Sequence, residues 1–140
     1  MIKALIVDQA DDDSVSASIH EIEASQLPDD GEVDIAVEYS TINYKDGLCL
    51  NGLGRLVRNY PHVPGIDLAG TVISSRADGI AAGDRVTMNG FRSGEIRWGG
   101  YATRANGKAE WIVKLPNGMS TRHSQTVSYT HLRAHETSTY

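Results

Sequence analysis

The sequence predicts a mainly β domain, a barrel or sandwich of short antiparallel strands, on three observations. Apolar residues recur at period two in several short segments, as strands with one buried face require. Asn-Gly pairs stand at Asn51-Gly52, Asn89-Gly90, Asn106-Gly107 and Asn117-Gly118, where tight turns between strands would fall. Within the domain, one short stretch has helical character, residues 44–50. Many short strands with glycine-rich turns suit a barrel or sandwich better than a layered α/β fold.

The elements follow in order. The apolar run 3–7 is the first strand, and Val15, Ala17 and Ile19 alternate with Ser16, Ser18 and His20 in the second. Leu27-Pro28-Asp29-Asp30-Gly31 is a turn by its residue types, since proline fixes φ and glycine permits positive φ. Val33, Ile35, Val37 and Tyr39 alternate with Asp34, Ala36 and Glu38, which gives a strand with one buried face. After the short helix, a Pro-Gly turn leads into the apolar run 68–73, where Gly70 allows two backbones to approach closely. Gly83-Asp84 turns the chain into 85–88, with Arg85 expected as a buried ion-pair anchor. Strands at 101–105 and 111–114 complete the set.

At 140 residues the chain is one domain with room for a real core. Its 40% hydrophobic and 22% charged residues are ordinary for a soluble globular protein. No apolar run reaches the roughly 18 residues of a membrane span, and the N-terminal run is too short for a signal peptide. A cytoplasmic location is therefore expected, with no membrane partner. Cys49 is the lone cysteine, so neither an internal disulfide nor a cysteine-pair zinc site can form. It reads as a small core residue, and His62 as an exposed loop residue. The formal charge of −5 argues against a nucleic-acid partner. Residues 1–30 carry eight acids and one base, whereas 91–120 carry five bases and two acids. Solvated faces account for most of this asymmetry; arginines near a cleft could also hold phosphates.

Three motifs in fixed order carry a resemblance: Ser40-Thr41-Ile42-Asn43-Tyr44-Lys45-Asp46-Gly47, then Val63-Pro64-Gly65-Ile66-Asp67-Leu68-Ala69-Gly70, then Gly83-Asp84-Arg85-Val86. Together they resemble the N-terminal catalytic domain of the medium-chain dehydrogenase/reductase superfamily, most of all its zinc-independent, quinone oxidoreductase-like branch, with the acrylyl-CoA reductases as the nearest type. The resemblance implies a GroES-like barrel over residues 1–123 and a Rossmann domain, absent from this chain, that would hold most of the cofactor. The polar stretch 124–140 is read as a tail outside the domain, non-native or disordered.

By the same resemblance the complete enzyme is a homodimer that uses NADPH to reduce an α,β-unsaturated acyl-CoA, acrylyl-CoA to propanoyl-CoA. The alternatives are a quinone oxidoreductase, or a free-standing barrel that binds without catalysing. Asn43 and Tyr44 are then the catalytic and cofactor-binding candidates, beside the nicotinamide and the reacting carbonyl. Asn43 offers an amide donor and Tyr44 a phenol; alternatively Asn43 caps the helix and Tyr44 packs against the barrel. In zinc-containing relatives the first motif supplies a cysteine and the second reads Gly-His-Glu. Here Lys45, Asp46 and Ile66 stand in those motifs, so no zinc is expected. For Lys45 and Asp46 an ion pair or a helix-start charge is the simpler role.

Asp67 takes the place of the zinc-enzyme glutamate and is a candidate substrate contact, as are Arg92 and Trp98; a carboxylate satisfied by a backbone N–H or an arginine is the alternative for Asp67. Trp98 precedes Gly99-Gly100-Tyr101, a glycine-rich passage shared with the family. Arg55, Arg58, Arg92 and Arg97 are candidates for coenzyme A phosphates. Gly52-Leu53-Gly54-Arg55 starts like a dinucleotide loop but lacks the third glycine and the βαβ context.

Overall fold

The computed structural model describes residues 2–53, 57, 59–89, 97–116 and 118–122. Among the described residues the named elements run in the order β1 (Ile2–Gln9), β2 (Val15–Ile22), β3 (Val33–Ser40), α1 (Tyr44–Leu50), β4 (Asp67–Ser75), β5 (Arg85–Asn89), β6 (Arg104–Gly107) and β7 (Ile112–Lys114). Single 3-10 turns at Ala24–Gln26 and Ala109–Trp111 join them. The fold is thus mainly β, as the alternating patterns predict, and α1 has the predicted bounds.

β1 and β2 form an antiparallel hairpin with Ile2 opposite Ile22. The other five strands make one antiparallel sheet in the order β6-β3-β4-β5-β7, which places β4 at its centre. The hairpin is fastened to the body by main-chain bonds. Leu5 N donates to Tyr101 O at 2.8 Å, Thr103 N to Lys3 O at 2.9 Å, and Val7 and His62 exchange two bonds at 2.8 and 2.9 Å. His62 is consequently buried, which corrects the expectation of an exposed loop residue. Its main chain serves as a strand partner for β1, a role that a flanking proline does not advertise.

The main core gathers Val33, Ile35, Leu68, Val72, Val86, Met88, Ala105 and Ile112. A second cluster, Ile2, Ala4, Ile22 and Val63, closes the hairpin against the body with Leu27, Trp98 and Tyr101 packed on it. Cys49 is buried, as expected for a small apolar side chain. The predicted face of β3 is buried at Val33 and Ile35 but leaves Tyr39 exposed. In β2 the alternation does not translate into burial: Ile19 is 73% exposed, because among the described residues nothing covers the outer face of a two-stranded hairpin.

Two further expectations are corrected. Asn106-Gly107 lies inside β6, not in a turn. The Asn106 side chain substitutes for missing ladder bonds, accepting from Gly31 N at 2.8 Å and donating to Gly31 O at 3.1 Å and Asp34 Oδ1 at 2.9 Å. Gly107 is glycine because a Cβ there would lie 2.8 Å from Met88 Sδ. Arg85 is exposed, so it is no buried anchor; the ion pair of that turn joins Asp84 to Lys114 at 3.4 Å.

Gly70 behaves as predicted. It faces Val37 across the β3–β4 ladder next to a register shift, and a Cβ on it would collide with the Ala36 carbonyl oxygen. Gly47, in α1, has open space around the same position. The two glycines should therefore respond oppositely to alanine. Gly70→Ala is expected to destabilise the chain by about 1–3 kcal/mol through overpacking against backbone. Gly47→Ala should stabilise it by roughly 0.5–1 kcal/mol through helix propensity. Urea midpoints of the two variants check this; a shift of the same sign in both would refute the steric account of Gly70.

Candidate active site

Between the end of β3 and the start of α1 the chain runs through Thr41-Ile42-Asn43 without regular structure. Its backbone has no ladder there, so side chains hold it. The main support is Asp46, in the first turn of α1 and fully buried. Its Oδ2 accepts from Asn43 N at 2.9 Å and from Asn43 Nδ2 at 3.3 Å, and its Oδ1 accepts from Gly65 N at 3.2 Å and Ile66 N at 3.0 Å. Asn43 and Asp46 form a capping box, which satisfies helix-start donors that would otherwise lose their partners on burial. The helix-start role expected for Asp46 is thus observed, and the same carboxylate also grips the Pro-Gly turn.

Gly65 completes that turn with φ +108°, a region glycine enters without strain, and a Cβ on it would lie 2.6 Å from Gly100 N. The glycine passage packs directly against it. Gly99 N donates to Val63 O at 2.7 Å, Gly100 N to Gly65 O at 2.9 Å and Tyr101 N to Pro64 O at 3.0 Å. Two motifs some 35 residues apart are thereby zipped together, and Tyr101 is carried over Asp46. The Tyr101 hydroxyl donates to Thr41 O at 2.9 Å. Burial above all, then the carboxylate of Asp46 beside the ring and that of Asp67, push its phenol well above the usual tyrosine range.

Asp67 opens β4 and is 1% exposed. Its Oδ2 accepts from Asn43 Nδ2 at 3.2 Å and from Thr41 Oγ1 at 3.3 Å, while its main-chain oxygen accepts from Ser40 Oγ at 2.5 Å. Asp67 is the satisfied carboxylate of the alternative reading, with side-chain donors in place of a backbone N–H or arginine. Asn43, half-buried, shares its amide hydrogens among Thr41 Oγ1 at 3.2 Å, Asp46 and Asp67. It caps the helix, and the amide donor considered for a reacting carbonyl points into the protein instead.

Tyr44 differs. It is 69% exposed, and next to it Ile42 is 81% exposed, so an aromatic ring and an aliphatic side chain stand on the surface above a rigid polar base. Trp98 is half-buried, donates from Nε1 to Pro61 O at 3.3 Å and packs on the second core cluster. Arg97 pairs with Asp30 at 2.8 Å, donates to Asn106 and lies 5.1 Å from the centre of the Trp111 ring, which commits it to the fold and removes it from the phosphate candidates. Arg92, Arg55, Arg58 and the stretch 124–140 lie outside the described residues. Sequence reasoning missed Ser40, Thr41 and Tyr101 as parts of the site. Ser40 and Thr41 open the first motif and Tyr101 closes the Gly-Gly-Tyr passage, but nothing in their residue types marks them as bonded to Asp67 or to each other's segment.

With this geometry in place, comparison decides the family: the alcohol dehydrogenase GroES-like domain matches residues 29–117. The chain belongs to that family. It is 49% identical over 128 residues to the acrylyl-CoA reductase AcuI of Ruegeria pomeroyi, covering 91% of this chain and 38% of that protein. The Salmonella enterica YhdH oxidoreductase, solved in complex with NADP, superposes with a TM-score of 0.84 at 44% identity, over 88% of this chain and 37% of that one. Bacillus subtilis YhfP, solved with NAD bound, gives 0.81 at 39% identity, over 89% and 37%. This GroES-like chain therefore spans a little over a third of the length of such relatives. Among its described residues no helix is long and apolar enough to cross a membrane, and no group of three or more His, Cys, Asp or Glu side chains could hold a metal ion.

The Tyr101 phenol carries a stability prediction at alkaline pH. Its pKa is raised by folding, so its contribution is fully present below about pH 10, where an unfolded tyrosine ionises, and is lost as the pH climbs beyond. Tyr101→Phe should lower stability at neutral pH by about 1 kcal/mol, for the lost bond to Thr41 O. It should also flatten the fall above pH 10. Denaturant midpoints across pH 8–11 read both effects, and an alkaline slope equal to that of the wild type would remove Tyr101 as its source.

Proposed function

We propose that this chain is the catalytic domain of an NADPH-dependent oxidoreductase that reduces an α,β-unsaturated acyl-CoA, acrylyl-CoA to propanoyl-CoA, without zinc. One observation carries the reading: Tyr44 stands exposed at the start of α1 while every neighbouring polar group of its base is engaged within the protein. The identity to the Ruegeria pomeroyi acrylyl-CoA reductase supports the substrate class. The NADP complex of the Salmonella enterica relative supports the cofactor.

A nicotinamide fits the residues present. An exposed aromatic ring beside the apolar side chain of Ile42 suits a planar heterocycle, and the Tyr44 hydroxyl supplies a polar handle. The bound cofactor would supply a hydride to the β-carbon of the unsaturated thioester. The carbonyl oxygen then gathers negative charge, and the α-carbon needs a proton. In this reading Tyr44 donates to that oxygen or holds the nicotinamide in position. Asn43 acts one step behind it, fixing the helix start. Ile42 shields the reacting face from water.

The metal-free reading rests on donor chemistry. Ile66 has no ligating atom, and both oxygens of Asp46 already accept N–H groups. Zinc requires several N, S or O donors converging in a tetrahedron. The enzyme expressed from the complete reading frame should contain less than stoichiometric zinc and keep its turnover in chelator. One zinc per chain, lost together with activity, would end this assignment.

Turnover of acrylyl-CoA with NADPH by the complete enzyme tests the function itself, and Tyr44→Phe tests the role. The substitution should lower kcat and kcat/KM together by about 10- to 100-fold, as for a donor used mainly in the transition state. A rise in KM with kcat unchanged would reduce the hydroxyl to ground-state binding. Rates matching the wild type would pass the role to another donor.

A further inference from the structure

The capping box ties Asn43 to Asp46, but both belong to the start of one helix and cannot fix that helix against the sheet. That needs bonds between segments distant in sequence. Three of them come from a single residue, Asp67: its carboxylate takes the Thr41 hydroxyl and the Asn43 amide, and its main-chain oxygen takes the Ser40 hydroxyl. Asp67 is also the first residue of β4, the central strand of the five, and pairs in register with Asn89 of β5. It is therefore anchored to a strand paired on both sides. The segment it holds, Thr41-Ile42-Asn43, has no ladder of its own and leads directly into the exposed ring of Tyr44.

We infer that Asp67 is a positioning residue, a buried carboxylate that locks the β3–α1 junction to the central strand and so sets where Tyr44 stands. The inference rests on the reading of Tyr44 given above but adds a different residue and a separate mechanism. An oxygen at the end of a short, buried side chain accepts two donors from the junction, the Thr41 hydroxyl and the Asn43 amide, and ties both to the first residue of β4. Charge-assisted bonds of this kind are stronger than neutral ones. Removing the acceptor would leave Thr41 Oγ1 with a lost partner and Asn43 Nδ2 with only two of its three. The junction would then sample other conformations, while the grip of Asp46 on Gly65 and Ile66 would persist.

Amide hydrogen exchange on this 140-residue chain separates the two supports. In Asp67→Ala the Asn43 amide, bonded to Asp46 at the junction, should exchange about tenfold faster or more, the factor expected from losing a bond to a charged acceptor. The Gly65 and Ile66 amides, bonded to the other oxygen of Asp46, should keep their protection. Asp67→Asn, which retains one acceptor oxygen, should recover part of the protection at Asn43. If Asp67→Ala does not fold, Thr41→Val removes one of the two carboxylate bonds at nearly constant volume and should give a smaller acceleration confined to the junction.

Equal acceleration at Asn43, Gly65 and Ile66 would overturn the inference, since Asp67 would then merely support the fold. Unchanged exchange at Asn43 in every variant would overturn it as well. In the complete enzyme, Asp67→Asn should lower kcat with little change in KM. A loosened junction with undiminished turnover would uphold the lock and remove Tyr44 from catalysis, so the two readings fail separately.

Discussion

The site depends on one buried carboxylate. Asp46 lies fully inside the protein and accepts four N–H bonds, two from the residue that precedes α1 and two from the Pro-Gly turn before β4. Taking a carboxylate out of water costs several kcal/mol unless its lone pairs are filled. Only a particular arrangement of the two segments fills them. The cost of burial thus becomes a source of specificity, because helix start and turn must meet at this one point or leave the group unsatisfied.

That requirement propagates outward through glycine. The turn can present two consecutive N–H groups to Asp46 only with Gly65 at positive φ, and the close contact with Gly100 and Tyr101 excludes a side chain there. The Gly-Gly-Tyr passage is then drawn in by three main-chain bonds and delivers a phenol to the carbonyl of Thr41. On its other side the same passage receives β1, through Leu5 and Thr103. A side-chain interaction at the candidate site is consequently continuous with the bonds that close the hairpin onto the sheet. A defect at the Pro-Gly turn would be felt both in the site and in the packing of Ile2, Ala4 and Val63.

How much of this was legible in the sequence divides by the range of the interaction. The strand from Val33 and a seven-residue helix starting beside Asn43 are local patterns, and both elements form where they predict, with the buried face of the strand kept at Val33 and Ile35. Gly70 was legible because a glycine within an apolar strand run marks a bulge or a close approach of backbones. The failures are long-range. Asn106-Gly107 has the composition of a turn, yet the Asn106 amide finds Gly31 and Asp34 more than 70 residues away and is drawn into a strand. Asp67 entered the cleft candidates through the place of the zinc-enzyme glutamate, with an internally satisfied carboxylate as the alternative, and Arg97 through its charge. Each instead found partners within the fold, Thr41 and Asn43 for one, Asp30, Asn106 and Trp111 for the other. Asn43 and Tyr44 are adjacent in sequence, and only the structure separates an inward cap from an exposed ring.

The polar base and a metal site are alternative uses of the same corner. Ile66→His would add one nitrogen donor at the position where the resemblance places a zinc ligand, but one nitrogen does not make a tetrahedral set. The carboxylates beside it are not available to complete it. Asp46 would have to release Asn43 or the Gly65-Ile66 turn, and Asp67 would have to release Thr41 and Asn43. Each release orphans a donor in a buried environment, at a cost of about 1–3 kcal/mol apiece. The ligand energy would be offset by the collapse of the base that carries Tyr44. On the metal-free reading proposed above, such a site would give up Lewis-acid assistance and gain a fixed junction beneath the exposed phenol of Tyr44.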